Sequence, residues 1–289
     1  MYDLAIIIVS WNTKKLIKDC LLSIKSSIHH TSYEVFVVDN NSSDGTVQML
    51  RSEFNDINII ANKTNEGFAK ANNEAIKISD SKYVMLLNPD TIVKDNALDI
   101  MVDYMEKNKE VGITGCKLFN KDGSLQESCR RFPDIKTYSC ILLKLHTLFP
   151  NMKCLKNYFM KDMDYDKINE VDQVMGAALM FRSNVLGEKS FLDEDYWIWF
   201  EEVDFCYKVK KKGYKIVYIP NANIVHYKAQ SFSQLLKVRQ QKIFNRSLLV
   251  YFSKNGKKYE TAILRILFPL SILLSFFLQT MRAIKRKDN

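Results

Sequence analysis

The chain has 289 residues, 47% of them hydrophobic and 26% charged, with a formal net charge of +9. That length holds one large domain, or one domain with an extension, and the apolar share supplies a core, which excludes a disordered chain. The basic residues are densest in 208–215 and 256–287, a balance that suits nucleic acid, an anionic membrane or a phosphorylated small substrate and so selects no function by itself.

Leu4 to Val9 is a continuous β-branched run without a basic leader or cleavage site, so it reads as a first strand buried on both faces, not as a signal peptide. Ser10-Trp11-Asn12-Thr13 follows as a polar turn, and Leu16, Ile17, Cys20, Leu21 and Ile24 recur at helical spacing. Glu34 to Val38 predicts a second strand, and the turn cluster Asp39 to Thr46 leads into a short helix with Val47, Met49, Leu50 and Phe54. Asn58 to Ala61 is a third strand, and Asn65-Glu66-Gly67-Phe68 opens a helix that runs to Ile78. Tyr83 to Leu87 is a fourth strand, stopped at Asn88-Pro89 because proline cannot donate to a sheet ladder, which delivers Asp90 at its tip. A rival reading has Asp90-Thr91 capping the next helix. Strands alternating with helices call for a parallel sheet covered on both faces, with ligands at the carboxyl ends of the strands.

The first sixty residues hold one glycine, Gly45, and it does not follow the first strand, so a glycine-rich phosphate loop is absent. That disfavours a dinucleotide fold and a nucleotidyltransferase. Polar side chains stand at the strand ends instead: Ser10, Asn12, Asp39, Asn41, Asn65, Asn72, Asn73 and Asp90. Amide and carboxylate groups there can bond a base edge and ribose hydroxyls, although turns and caps use the same residues.

Ser10-Trp11-Asn12, Val38 to Thr46, Asn65 to Asn73 and Leu86 to Thr91 together resemble glycosyltransferase family 2, in its bacterial rhamnosyltransferase-like branch, over about residues 3 to 228. The resemblance implies an α/β chain with the GT-A fold, a mostly parallel central sheet flanked by helices, in which a nucleotide-binding half (about 1–120) precedes an acceptor half (about 121–228). It assigns the donor base to Asp39 and the ribose and phosphates to the neighbourhood of Ser10 and Asn12. Asn41, Asn65, Gly67, Asn72, Asn88 and Asp90 complete the expected nucleotide-sugar site. Asn88-Pro89-Asp90 stands where the family keeps an Asp-x-Asp metal motif, so cation binding would rest mainly on Asp90. Oxygen ligands suit Mg2+ or Mn2+, and such a cation would stabilise a departing diphosphate.

A further strand is expected over Val111 to Phe119, then a turn at Asp122-Gly123. Gln126 to Pro133 falls where relatives keep a segment near the donor, with Arg130 and Arg131 as a pair that could meet a diphosphate. Residues 134–170 mix apolar residues at helical spacing with lysines, which fits a packed helix or an amphipathic membrane-surface helix. Val174 to Phe181 reads as a core strand, and relatives place its Gly176 beside the donor sugar. Phe191 to Phe200 is aromatic and precedes Glu201-Glu202-Val203-Asp204, which open a helix stopped by Gly213. The helix dipole favours acids there but does not require all three. The family reads Glu-Asp-x-Asp at this point, so Glu202 inherits the general-base role, with Glu201 as the neighbouring candidate and Asp204 orienting the site or holding a basic residue. A helix amino terminus and nearby cations are expected to keep that base ionised.

Lys215 to Ile219 predicts a strand closed by Pro220, and His226, in Ile224-Val225-His226-Tyr227, is the family's metal-ligand position beside Asp90. Past residue 228 the catalytic pattern ends, and 229–289 form a helical extension: Phe232 to Phe252 as one helix, a hinge at Asn255 to Lys258, and an apolar stretch from Ile263 to Met281 broken by Arg265 and Pro269. Flanking cations suit an anionic inner membrane surface, and a helix closing a homodimer is the alternative. The six cysteines lie far apart with no Cys-x-x-Cys pair, as in a reduced cytoplasmic protein. The expectation is therefore an inverting, metal-dependent transferase at the cytoplasmic face of the membrane. Its partners would be a nucleoside-diphosphate sugar and a glycan or lipid-linked acceptor, with no nucleic acid. A non-catalytic nucleotide-sugar-binding membrane protein is the remaining alternative.

Overall fold

The structure, a computed structural model, describes residues 1–227 and 236–285. The first apolar run becomes β1 (Tyr2–Ser10), whose Leu4 to Ile8 are wholly buried. On either side of it lie β2 (Tyr33–Asp39) and β4 (Ser81–Leu87), both parallel, with β3 (Asn58–Ala61) parallel beyond β2. The crossovers are α1 (Lys14–Ser27), α2 (Thr46–Glu53) and α3 (Phe68–Ile78).

After β4 come β5 (Thr91–Val93), α4 (Ala97–Lys107), β6 (Val111–Phe119) and β7 (Leu125–Gln126). Three short helices follow, α5 (Ile135–Leu142), α6 (Leu145–Leu148) and α7 (Lys153–Tyr158), then β8 (Asn169–Glu170), β9 (Ala178–Arg182), α8 (Glu201–Lys211) and β10 (Lys215–His226). Two long helices, α9 (Lys237–Asn255) and α10 (Lys258–Lys285), end the described chain. The sheet order is β3-β2-β1-β4-β9-β6-β10-β5.

Because side chains alternate across a strand, β1 feeds two cores. Its Leu4, Ile6 and Ile8 pack with Ile17, Leu21 and Ile24 of α1 and with Met101 and Met105 of α4. Its Ala5 and Ile7 face Ala75 and Ile76 of α3 and the cluster that holds Phe205 and Val209 of α8. A third core gathers Tyr138, Tyr158, Phe200, Val203, Leu248, Tyr251, Phe252 and Leu264, and so fastens α9 and α10 to α5, α7 and α8.

Several sequence expectations are corrected here. The mostly parallel α/β sheet is as expected, and what the strand–helix alternation did not show is that β9 runs antiparallel to both β4 and β6, its chain entering from a long excursion and not from a helical crossover. The strand expected from Val174 begins only at Ala178, because Gly176 and Ala177 form a turn closed by the Ala178 N–H on the Met175 carbonyl at 3.3 Å. Pro220 does not close its strand. β10 continues to His226 through a register shift between Ile219 and Asn223, a bulge where a residue without an N–H costs no ladder bond. Asp90-Thr91 caps no helix, because Thr91 starts β5, which pairs with β10. Residues 134–170 form packed short helices around a third core, not one amphipathic helix. The start expected at Phe232 lies outside the described residues; α9 begins at Lys237, after Leu236 in an extended conformation (φ −59°, ψ 141°). α10 runs unbroken through Pro269.

Candidate active site

Topology brings Asp90 and His226 together. The antiparallel β5–β10 ladder sets Thr91 opposite His226, and the Tyr227 N–H donates to the Asp90 carbonyl at 2.9 Å. The two side chains are nearly buried, with Asp90 Oδ1 3.3 Å from His226 Nε2. Asn88 completes the cluster, its Nδ2 3.4 Å from the same nitrogen.

Gln126 sets the histidine tautomer, a role the sequence did not disclose. Its Nε2 donates to Asn120 Oδ1 at 2.8 Å and to the His226 carbonyl at 3.2 Å. Its Oε1 is thereby left to accept from His226 Nδ1–H, at 2.7 Å. With the ring proton on Nδ1, Nε2 turns a lone pair toward a carboxylate oxygen, and two lone pairs at that distance call for a positive charge between them. The 3.3 Å separation is near the roughly 3 Å expected between adjacent ligands of an octahedral cation with ligands at about 2.1 Å. Among the described residues no third His, Cys, Asp or Glu joins them. A carboxylate and an imidazole, with the Asn88 amide N–H groups beside them, leave most of a cation's coordination to phosphate oxygens and water, so the donor set fits Mg2+ or Mn2+.

The other strand ends divide by what their side chains already do. Asp39 lies level with Ser10 in the β1–β2 register and is buried. Its Oδ1 accepts from the Ser42 N–H at 2.9 Å, but its Oδ2 is sealed from solvent with no partner among the described residues. An orphaned carboxylate oxygen is an acceptor awaiting a donor. Ser10 Oγ is bonded to Thr13 Oγ1 at 2.9 Å, and Asn12 Oδ1 accepts from the Ser43 N–H at 2.8 Å, so these two brace the loops around Asp39. Asn41 is exposed with a left-handed backbone, φ 65°.

Asn65 and Gly67 build a seat. Asn65 Oδ1 accepts from the Gly67 N–H at 3.0 Å, and Gly67 has φ 87° and ψ −173°, a region essentially reserved for glycine. A Cβ there would lie 2.3 Å from the Trp197 carbonyl oxygen. Asn72 Nδ2 donates to the Phe68 carbonyl at 2.8 Å, while its buried Oδ1 has no partner among the described residues. Asn73 bonds both the N–H and the carbonyl of Leu192, pinning the aromatic segment onto α3.

The acids of α8 separate by role. Glu202 lines a cavity of about 390 Å³ with Arg130, Tyr138, Tyr158, Trp199 and Phe244. Gly176 is its neighbour: a Cβ on Gly176 would touch Glu202 Cγ at 3.4 Å, so this glycine makes room for the acid. Burial raises the Glu202 carboxyl above its usual range, only partly offset by the N–H groups of Glu202, Val203 and Phe200 at the helix start. The expected ionising surroundings are therefore not what the fold provides, because the third core closes over this end of the helix. Glu201 is more deeply buried and is raised further, by burial and then by the charge of Glu202.

Asp204 faces away from the cavity. It pairs with Lys208 at 2.6 Å and accepts from Asn255 Nδ2 at 2.7 Å, which ties α8 to α9. Lys254 on Asp193 at 2.6 Å and Ser247 Oγ on the Ile198 carbonyl at 2.7 Å complete that docking, so α9 walls the acid site. Arg130 lies over the Phe159 ring at 5.0 Å and donates to the Cys129 carbonyl, whereas Arg131 leans toward Asp172 at 3.8 Å.

A mostly parallel sheet between helix layers, with an acid–histidine pair at one strand end and a separate acid in an aromatic cavity, has the architecture of the GT-A glycosyltransferases. Solved structures agree on the fold: a Pyrobaculum calidifontis mannosyltransferase, PcManGT, in complex with GDP-Man and Mn2+ superposes with a TM-score of 0.58 at 16% identity, covering 98% of this chain and 77% of that one. TarS of S. aureus, residues 1–349, gives 0.56 at 17% identity over 94% and 80%.

The sequence profile of Glycosyl transferase family 2 matches residues 5–185, and the chain belongs to that family. Its relatives include the N-acetylglucosaminyl-diphospho-decaprenol L-rhamnosyltransferase of Mycobacterium tuberculosis, 25% identical over 68% of this chain and 67% of that protein. Rhamnosyltransferase WbbL of Escherichia coli K12 is 24% identical over 77% and 82%. The rhamnosyltransferase-like expectation is thereby borne out.

Proposed function

We propose that the chain transfers a sugar, with inversion, from a nucleoside-diphosphate sugar to a glycan or lipid-linked acceptor in cell-surface polysaccharide synthesis. The observation that carries this reading is the pair formed by Asp90 and the Gln126-held His226 at the carboxyl end of the sheet. Asp90 and His226 would hold a divalent cation, which when bound spreads the charge that grows on the departing diphosphate. Asp39, with its unpartnered oxygen, accepts the imide N–H of a uracil or thymine base, so dTDP-rhamnose or a UDP-sugar is the donor.

The acceptor lies in the aromatic cavity with its hydroxyl toward Glu202. The hydroxyl oxygen attacks the anomeric carbon opposite the leaving group, and the bond to the phosphate oxygen breaks with its electron pair. The hydroxyl proton passes to the Glu202 carboxylate. A carboxyl raised by burial is a stronger base when ionised than an ordinary glutamate, which suits it to this task. Glu201 supports the ionisation balance of the pair, and Asp204 positions the helix.

Residues 1–228 form the transferase domain and 229–289 a membrane-associating extension, with the division in residues outside those described. Lys258–Phe277 is long and apolar enough to cross a membrane, yet Leu264 and Ser271 of the same helix are wholly buried against the protein. The exposed side carries Ile263, Ile266, Leu270 and Leu273, a stripe at helical spacing that lies on the inner membrane surface. A Glu202→Gln variant tests the chemistry: it binds Mn2+ and nucleotide like the wild type and transfers no sugar. Retained transfer would overturn the base assignment.

A further inference from the structure

A second cavity, also about 390 Å³, lies between α6, the start of α9 and α10, and shares Trp199 and Phe244 with the cavity of Glu202. Its polar lining includes Lys144, His146, Gln241, Ser275 and Lys237, which donates to Gln240 Oε1 at 3.2 Å, and among the described residues no carboxylate lines it. Lys144 is half-buried and forms no ion pair among the described residues; its ammonium donates to Gln241 Oε1 at 2.7 Å. Nδ1 of His146 is sealed from solvent and has no hydrogen-bond partner among those residues. Burial lowers the affinity of both groups for a proton, and at His146 the neighbouring Lys144 adds to it.

The chain also bends to present Lys144, which has φ 59°, in the left-handed region a lysine seldom adopts. Holding the half-buried Lys144 ammonium in a cavity with no carboxylate among the described residues is unfavourable unless an anion enters.

The rim of this cavity is apolar. Leu148 and Phe149 follow the lining residue Thr147, Leu236 precedes Lys237, and Phe276 and Phe277 follow Ser275; each is more than half exposed. The order from inside to outside is thus an acid in an aromatic cavity, a cationic cavity, and an apolar surface continuous with α10. An acceptor built as sugar, diphosphate and long hydrocarbon has the same order, and the name of the mycobacterial relative describes such a molecule for that protein.

We infer that the cavity of Lys144, His146 and Lys237 is the subsite for the diphosphate of a polyprenyl-linked acceptor, with the hydrocarbon leaving along α10. This deepens the transferase reading and rests on it for the identity of the sugar end. The subsite is separate from the Asp90 cluster and needs no metal.

Farnesyl diphosphate is the probe, titrated into the full chain in detergent with EDTA present, so that no cation near Asp90 draws the diphosphate there. The expected result is saturable binding to the wild type, displaced by inorganic pyrophosphate, and about tenfold or more weaker in Lys144→Gln/Lys237→Gln, as loss of charge-assisted hydrogen bonds predicts. A Lys153→Gln/Lys156→Gln control, with the same change in net charge, binds like the wild type. Farnesol binds weakly to all three proteins.

Equal affinity of the double variant, or of farnesol, would overturn the inference. So would a variant that loses binding to phosphatidylglycerol vesicles while keeping farnesyl diphosphate, since the cavity would then serve a bilayer headgroup. Failure of pyrophosphate to compete on the wild type overturns it without any variant. Binding of UDP or dTDP with Mn2+ is measured alongside: if it persists while the diphosphate probe fails, the subsite falls and the transferase reading stands.

Discussion

Replacing Gln126 by leucine keeps the volume and removes the group that fixes His226. Gln126 and His226 are 2% and 5% exposed, so water cannot substitute for the lost 2.7 Å bond, and Nδ1–H is stranded. A buried donor left unsatisfied costs about 1–3 kcal/mol, a fall of roughly 2–12 °C in melting temperature for a domain of this size. The larger effect falls on the cation: losing the hydrogen-bond partner of a ligating histidine weakens metal affinity about 10- to 100-fold. The assay is calorimetric titration of Mn2+ into protein holding UDP or dTDP, with melting followed separately without metal. Gln126→Glu restores the acceptor and recovers most of the affinity. A leucine variant that melts early but binds Mn2+ as tightly as the wild type would refute the reasoning, because Gln126 would then be a structural residue only.

Gly67→Ala forces a side chain into φ 87° and against the Trp197 carbonyl, which accepts from the Phe68 N–H at 2.7 Å, so a loss of about 2–4 kcal/mol is expected in denaturant unfolding. Glu201 is raised above its unfolded value by burial and then by Glu202, so the folded state holds the proton more tightly and stability falls as pH rises from the ordinary glutamate range through the folded pKa. Glu201→Gln should flatten that slope and melt higher than the wild type at neutral pH; an unchanged slope would contradict it. The acid limb of the transfer rate should likewise sit above the ordinary glutamate range, since the carboxyl of Glu202 is raised in the fold. Asp204→Asn weakens the Lys208 pair and should loosen α9, read as faster hydrogen exchange in Ser247 to Asn255.

The half of the fold that follows local rules was legible. Apolar runs of strand-forming residues gave β1, β2 and β4, and the helical spacing of Ile17, Cys20, Leu21 and Ile24 gave α1. Asp90 and His226 could be proposed from the resemblance, but what joins them is the β5–β10 ladder, a pairing between residues far apart in sequence that no local pattern announces. Gln126 sits in a two-residue strand, too short for any periodicity, so its hold on His226 was invisible. Pro220 misled because a proline reads as a strand end unless a bulge excuses its missing N–H. The ionisation of Glu202 was misjudged for a related reason: the helix start was in view, but the aromatic roof from α5, α7 and α9 was not.

The central claim is that Asp90 and His226 bind a nucleoside diphosphate through a divalent cation. Calorimetric titration of UDP and dTDP, with and without Mn2+, into the wild type and Asp90→Asn tests it most directly. Mn2+ should tighten binding of one nucleotide to the wild type, the variant should lose this gain, and metal-free binding should be alike in both. Asp90→Asn retaining the full gain, or neither nucleotide binding the wild type, would contradict it.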